Sequence, residues 1–164
     1  MSEQKQQKGA EVFQSLCDYL TKDGWRYEMV DDLHLVTHAT GEDLPMALHV
    51  LVHTGFENII AYSYLPVNVP EDKRMDMAVA VNLINNKLAI GCFQFNVLED
   101  KICFQMCNCY AGFQPPEEIF RYMLYGSCQV IDEFNDMFLM LAKGLITLEQ
   151  FMSKNATEGG NNNE

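Results

Sequence analysis

Basic side chains are scarce in this chain. Its 164 residues hold 11 Lys and Arg against 23 Asp and Glu, a formal net charge of -12. A surface of that sign repels polyanions, so no broad electrostatic grip on nucleic acid or an anionic membrane is expected. Long apolar runs are also missing. No stretch approaches the ~18 residues that signal a membrane span. The polar opening MSEQKQQKGAEV lacks an export pattern, so a cytoplasmic protein is expected and its six cysteines are read as reduced thiols. On that reading, the sequon Asn155-Ala156-Thr157 is a chance match. Also absent are GxGxxG, GxxxxGK(S/T), GxSxG and HExxH, the short motifs that cradle phosphates, expose a nucleophile or hold zinc. A non-enzyme with no cofactor is expected.

Enough is present for a packed core: 48% of residues are hydrophobic and 11% aromatic. A single domain over 9–153 is expected, with flexible tails at 1–8 and 154–164. Val12, Phe13, Leu16, Cys17 and Leu20 form a helical stripe in 9–22, closed by Asp23-Gly24. Short strands follow over 25–29 and 33–38. Residues 45–53 alternate, with Met46, Leu48, Val50 and Val52 on one face and His49 and His53 on the other. A strand over 58–65 is ended by Pro66 and Pro70, which lack an N–H. Pro70-Glu71-Asp72 opens a helix whose stripe is Met77, Ala78, Val81, Ile84 and Leu88, and Gly91 ends it. A hairpin turning at Glu99-Asp100 would set Val97 opposite Ile102, Phe95 opposite Phe104, Phe93 opposite Met106 and Cys92 opposite Cys107. Pro115-Pro116 starts a long helix to Lys143, with a break considered near Gly126. A short helical turn over 148–152 follows. The class is α+β, with a mainly antiparallel sheet and helices packed on one face, in the order α-β(β)ββ-α-ββ-α.

Candidate chemistry is thin. Cys103, Cys107 and Cys109 share strand parity, but same-face neighbours on a strand stand roughly 7 Å apart, unlike a C-x2-C metal knuckle. They read as small hydrophobes, with a Cys92–Cys107 disulfide or metal clip as the alternative. His34 and His38, like His49 and His53, are i, i+4 pairs. On a strand that separates each pair by ~13 Å, so a site would need residues from neighbouring strands. The acidic pairs Asp31-Asp32, Glu42-Asp43, Glu71-Asp72, Glu99-Asp100 and Glu117-Glu118 fall at turns and helix starts. Asn85-Asn86 are placed to cap a helix or bond across to the next strand. The last helix is apolar nearly all round: Tyr122, Tyr125, Met137, Leu139 and Met140 add to its core stripe. Either the chain's own core or another subunit covers them.

One resemblance stands out. Ala61-Tyr-Ser-Tyr-Leu-Pro66, Val69-Pro70-Glu71-Asp72-Lys73-Arg74, Asn82-Leu-Ile-Asn85 and Gly91-Cys-Phe-Gln-Phe95 resemble the YbjN-like family of bacterial sensory-transduction regulators, as does Trp25 before a first hairpin. The resemblance implies the type III secretion chaperone fold, an α-β-β-β-α-β-β-α arrangement that commonly dimerises, and a cytoplasmic binding or regulatory role. The leading expectation is therefore a homodimeric, non-enzymatic module that binds a protein or peptide, using a surface at Tyr122, Tyr125, Met137, Leu139 and Met140. The alternative is a small-molecule sensor or enzyme with a pocket near His49, His53, Tyr62 and Tyr64.

Overall fold

Helix α1 spans Glu3–Lys22 in the computed structural model, which describes residues 3–41 and 44–158. It opens well before the expected start at Gly9. Residues 3–8 lack an apolar stripe, but Glu, Gln and Lys are good helix formers. Two ties also hold this turn: Lys5 pairs with Glu57 at 2.5 Å, and Lys8 donates to Gln114 at 2.7 Å. The segment read as a flexible leader is thus helical from Glu3. At the other end the Trp25 N–H reaches Leu20 O at 2.9 Å and the Gly24 N–H reaches Thr21 O at 3.3 Å. These two bonds make a Schellman cap, with Gly24 at φ +79°.

Six antiparallel strands form one sheet: β1 (Tyr27–Asp31), β2 (His34–Thr40), β3 (Pro45–His53), β4 (Asn58–Asn68), β5 (Cys92–Asn96) and β6 (Lys101–Cys109). Their spatial order is β1-β2-β3-β4-β6-β5. A 3-10 turn at Glu71–Lys73 leads from β4 into α2 (Arg74–Asn85), while α3 (Glu117–Ala142) and α4 (Leu148–Glu158) close the described chain. The α+β class and the one-sided layering agree with the sequence pattern. Strand alternation decides the covered face: Leu35, Leu48, Val50, Ile59, Phe93 and Phe104 are buried on it. On this side α1 packs against β3, α3 against β4 and β6, and α2 against β5.

Four local expectations are corrected. Pro66 does not end β4. The strand runs to Asn68, and the register against β6 shifts between Tyr64 and Asn68. Pro66 lies in that irregular stretch, where a missing N–H costs no ladder bond. The hairpin is displaced by two residues, so Phe95 faces Ile102, Phe93 faces Phe104, and Cys92 faces Gln105. A shift of two preserves the side-chain faces, which is why alternation alone could not exclude it. The loop is longer than Glu99-Asp100 because Asn96 takes the Leu98 N–H at 3.1 Å. Asp100 turns at φ +57° and is held by two Arg74 bonds of 2.6 and 2.8 Å.

The long helix α3 is unbroken at Gly126. That glycine is a point of close approach: an added Cβ would lie 3.2 Å from Ile90 Cδ1 and 3.3 Å from Met106 Cε. The expected turn at 148–152 is the start of α4, which continues to Glu158. Buried Phe151 and Asn155, one turn apart, anchor it, and Asn155 accepts from Lys87 on two oxygens. Part of the expected flexible tail is therefore helix, while 159–164 and the Glu42-Asp43 pair lie outside the described residues. Asn85 does reach across: its Oδ1 takes the Phe93 N–H and its Nδ2 donates to Phe93 O, both at 2.8 Å. One amide thus replaces a missing strand neighbour at the β5 edge.

Candidate functional site

Helices on one side leave the other side of the sheet without a layer among the described residues. Its side chains come from the alternate positions: Val36 and His34 on β2, His49 and Leu51 on β3, Ile60, Tyr62 and Tyr64 on β4, and Cys103 and Gln105 on β6. Register brings these together. His49 pairs with Tyr62, and Tyr62 with Gln105, while Leu51 pairs with Ile60 and Tyr64 with Cys103. The His49 and Tyr62 rings stack at 4.9 Å and 8°, and Tyr62 meets Tyr64 edge-on at 6.0 Å. A depression of about 240 Å³ runs beside them, lined by Leu51, Ile60, Tyr62, Tyr64, Gln94 and Cys103 among others. Of the four residues expected around a pocket, His49, Tyr62 and Tyr64 converge. His53 does not: its ring packs on Phe56 at 4.8 Å, and its Nδ1 takes the Phe56 N–H in the following turn.

The group that joins His49 is His34. Its Nε2 lies 3.1 Å from His49 Nδ1, within hydrogen-bond distance. The signal was in the sequence. Closing the turn between Thr40 and Pro45 places His34 opposite Leu51 and therefore diagonal to His49. Burial holds the His49 imidazole below its ordinary pKa, helped by His34 and His38. The unfolded chain, with an ordinary histidine near 6.5, then binds more protons than the folded one at mildly acidic pH. Stability is thus expected to fall as pH drops through about 6.5 and to level off below the folded pKa. Urea midpoints between pH 8 and 5 measure this. His49→Gln should flatten that part of the curve, and an unchanged slope would refute the assignment.

The thiols stay apart. All six cysteines are free, and among the described residues no group of three or more His, Cys, Asp or Glu is placed to hold a metal. Cys92 faces Gln105, which removes the geometry expected for a Cys92–Cys107 bridge. Burial pushes the Cys103 thiol up to about 11, leaving little nucleophilic thiolate at neutral pH. Cys107 and Cys109 are exposed, and Cys107 Sγ accepts from Asn58 Nδ2 at 3.1 Å.

The five residues singled out on α3 do not form one patch. Met137 and Met140 are half-buried against the core, and Asn155 of α4 donates to Met137 Sδ at 3.7 Å. Leu139 is half-buried as well, while Tyr122 and Tyr125 are each 49% exposed. Tyr125 belongs to an arrangement that pattern reading missed. Asp23 Oδ2 accepts from Tyr19 Oη, Trp25 Nε1 and Tyr125 Oη, each at 3.0 Å. These donors hold the Asp23 carboxyl below its usual range, the Trp25 bond contributing most. Trp25 and Tyr125 meet edge-to-face at 5.4 Å beside an open cleft of about 710 Å³ that also takes in Glu28, His38 and Cys128.

This one-sided sheet, with its helix order and open face, defines a chaperone-like α+β fold. Two solved structures share it. The crystal structure of YbjN, a candidate transcription regulator from E. coli, matches 77% of this chain and 93% of its own, with a TM-score of 0.59 and 16% identity. The crystal structure of the ExsC–ExsE complex matches 78% of this chain and 93% of its own, with a TM-score of 0.56 and 14% identity. The fold is therefore YbjN-like and type III secretion chaperone-like, as the sequence resemblance implied. No family model matches the sequence, and no curated protein does. Among the described residues no helix is long and apolar enough to cross a membrane.

Proposed function

We propose that the chain is a regulatory or chaperone-like module that binds an extended protein segment on its open sheet face. It acts as a homodimer in the cytoplasm and catalyses no reaction. The observation that carries this reading is the uncovered face itself. Leu51, Ile60, Tyr62 and Tyr64 line an open depression, and β1, an edge strand of the same sheet, leaves Met29 and Val30 each 54% exposed. Such a surface suits a strand-like segment that contributes alternate side chains and main-chain bonds. The net charge of -12 favours a basic one. Enclosure argues against the small-molecule alternative. A depression of about 240 Å³ falls below the ~300–1,000 Å³ of ordinary ligand pockets and suits a side chain better. The likeness to ExsC, seen in complex with ExsE, points the same way.

The test pairs capture with a surface variant. Extract from the source cell is passed over wild type and over Ile60→Asp of unchanged melting temperature. A partner held by wild type and lost by the variant is expected. Identical retained proteins on both would remove the open face from consideration. Light scattering at micromolar concentration should give about twice 18.8 kDa, whereas a monomer would end the dimer part of the proposal.

A further inference from the structure

We infer that His34 and His49 together bind a borderline divalent metal ion of the Zn²⁺, Ni²⁺ and Cu²⁺ class. The pair supplies what the i, i+4 spacing along each strand could not, namely two imidazole nitrogens from adjacent strands, 3.1 Å apart. Two nitrogens on one tetrahedral ion at 2.0–2.1 Å each stand roughly 3.3 Å from one another. The rings need to part by only a few tenths of an ångström. Their centroids lie 5.2 Å apart with 43° between the planes, so the rings are tilted and not stacked flat.

The chemistry balances without an added reagent. In the neutral pair one ring proton lies between Nε2 of His34 and Nδ1 of His49. Metal entry moves it to the outer nitrogen of the ring that carried it, through solvent. Both inner lone pairs then face the ion, each ring remains neutral, and no net proton is released. Water fills the remaining positions from the open side of the sheet. Nitrogen donors select borderline ions over Mg²⁺ and Ca²⁺, which prefer oxygen.

The surroundings support the pair. Tyr62 stacks flat on His49 at 4.9 Å and fixes that ring. Asp31 of β1 stands opposite His34 in register, its Oδ1 taking the Leu33 N–H at 2.9 Å. The groups around His49 are His34, Val36 and His38 on β2 and Tyr62 on β4. This site is independent of the partner reading, since the ion needs no second protein.

The test is calorimetric titration of untagged full-length protein with Zn²⁺, in wild type and in a Cys107→Ser/Cys109→Ser variant that removes exposed thiols. One saturable site is expected in both, with Mg²⁺ unable to compete. His34→Ala and His49→Ala should each weaken it by more than the about 100-fold upper cost of losing an outer-shell partner, and His53→Ala should leave it intact. Absence of saturable binding by wild type overturns the inference, as does binding that survives in the His34→Ala/His49→Ala double variant. Imidazole nitrogen NMR on wild type gives the same answer without a variant: Zn²⁺ must shift both His34 and His49, and shifts confined to His38 or His53 overturn it.

Discussion

Phe138→Ala is expected to destabilise the protein by about 3–5 kcal/mol, the range for removing a fully buried aromatic ring. Phe138 has no exposed surface and meets Phe93 at 5.0 Å and Phe151 at 5.9 Å. Phe93 in turn meets Phe104 at 5.0 Å and Phe134 at 6.1 Å. The ring therefore links the edge strand β5, the long helix α3 and the last helix α4. In a domain of this size each kcal/mol shifts the melting temperature by about 2–4 °C, so a drop on the order of 10 °C should appear. The loss should also be uneven. Phe151 is the deepest anchor of α4, and without its ring partner amides in 148–158 should exchange faster before global unfolding. A melting temperature within 2 °C of wild type, roughly the width of a 1 kcal/mol effect, would show that the cluster is not cooperative.

Gly91→Ala should cost nearly as much, for two separable reasons. Gly91 sits at φ +62°, and a Cβ there would lie 2.3 Å from Phe104 Cζ and 2.9 Å from Gln105 O. The backbone term is about 1–2 kcal/mol for an L-residue in the left-handed region. Overpacking adds about 1–3 kcal/mol, because the Phe104 ring is pinned by Phe93 and the carbonyl is main chain. Gly24→Ala is the matched control, since φ is +79° there and nothing lies within 4 Å. Denaturant titration of both variants isolates the packing term as their difference. Equal losses would place Gly91 in open space and contradict the fold at the start of β5.

Some of this architecture was legible and some was not, for reasons that can be named. The strand 45–53 was readable to the residue because alternation, Pro45 and the turn at Thr54-Gly55 agree. The helix end expected at Lys143 holds to within a residue, closed by a Schellman cap at Gly144: its N–H reaches Leu141 O at 3.1 Å, and the Leu145 N–H reaches Met140 O at 2.9 Å. The β5–β6 register was not, because two-residue shifts preserve parity and the deciding contact, Arg74 to Asp100, is tertiary. The first turn of α1 and most of α4 were missed because their helicity rests on distant ties, Lys5 to Glu57 and Lys87 to Asn155. Part of α3's excess apolar surface, at Met137 and Phe138, meets α4, whose length the sequence pattern shows only as a single turn. His49, Tyr62 and Tyr64 meet, and His34 joins them through a diagonal contact between strands that spacing along a single strand does not reveal.

The Asp23 knot has an optical consequence. Trp25 is the chain's one tryptophan, and its indole N–H is bound to a carboxylate while its ring abuts Tyr125. Intrinsic emission of the native protein therefore reports a single corner, where α1 ends and the first half of α3 passes. Phe138 lies 13 residues beyond Tyr125 on α3, about 20 Å along the helix axis. Loosening that begins at α4 leaves this fluorophore undisturbed while ellipticity already falls. Emission recorded on one sample thus views one end of that helix while circular dichroism sums all helical backbone, and a gap between their two transitions reads how tightly that end is coupled to the rest.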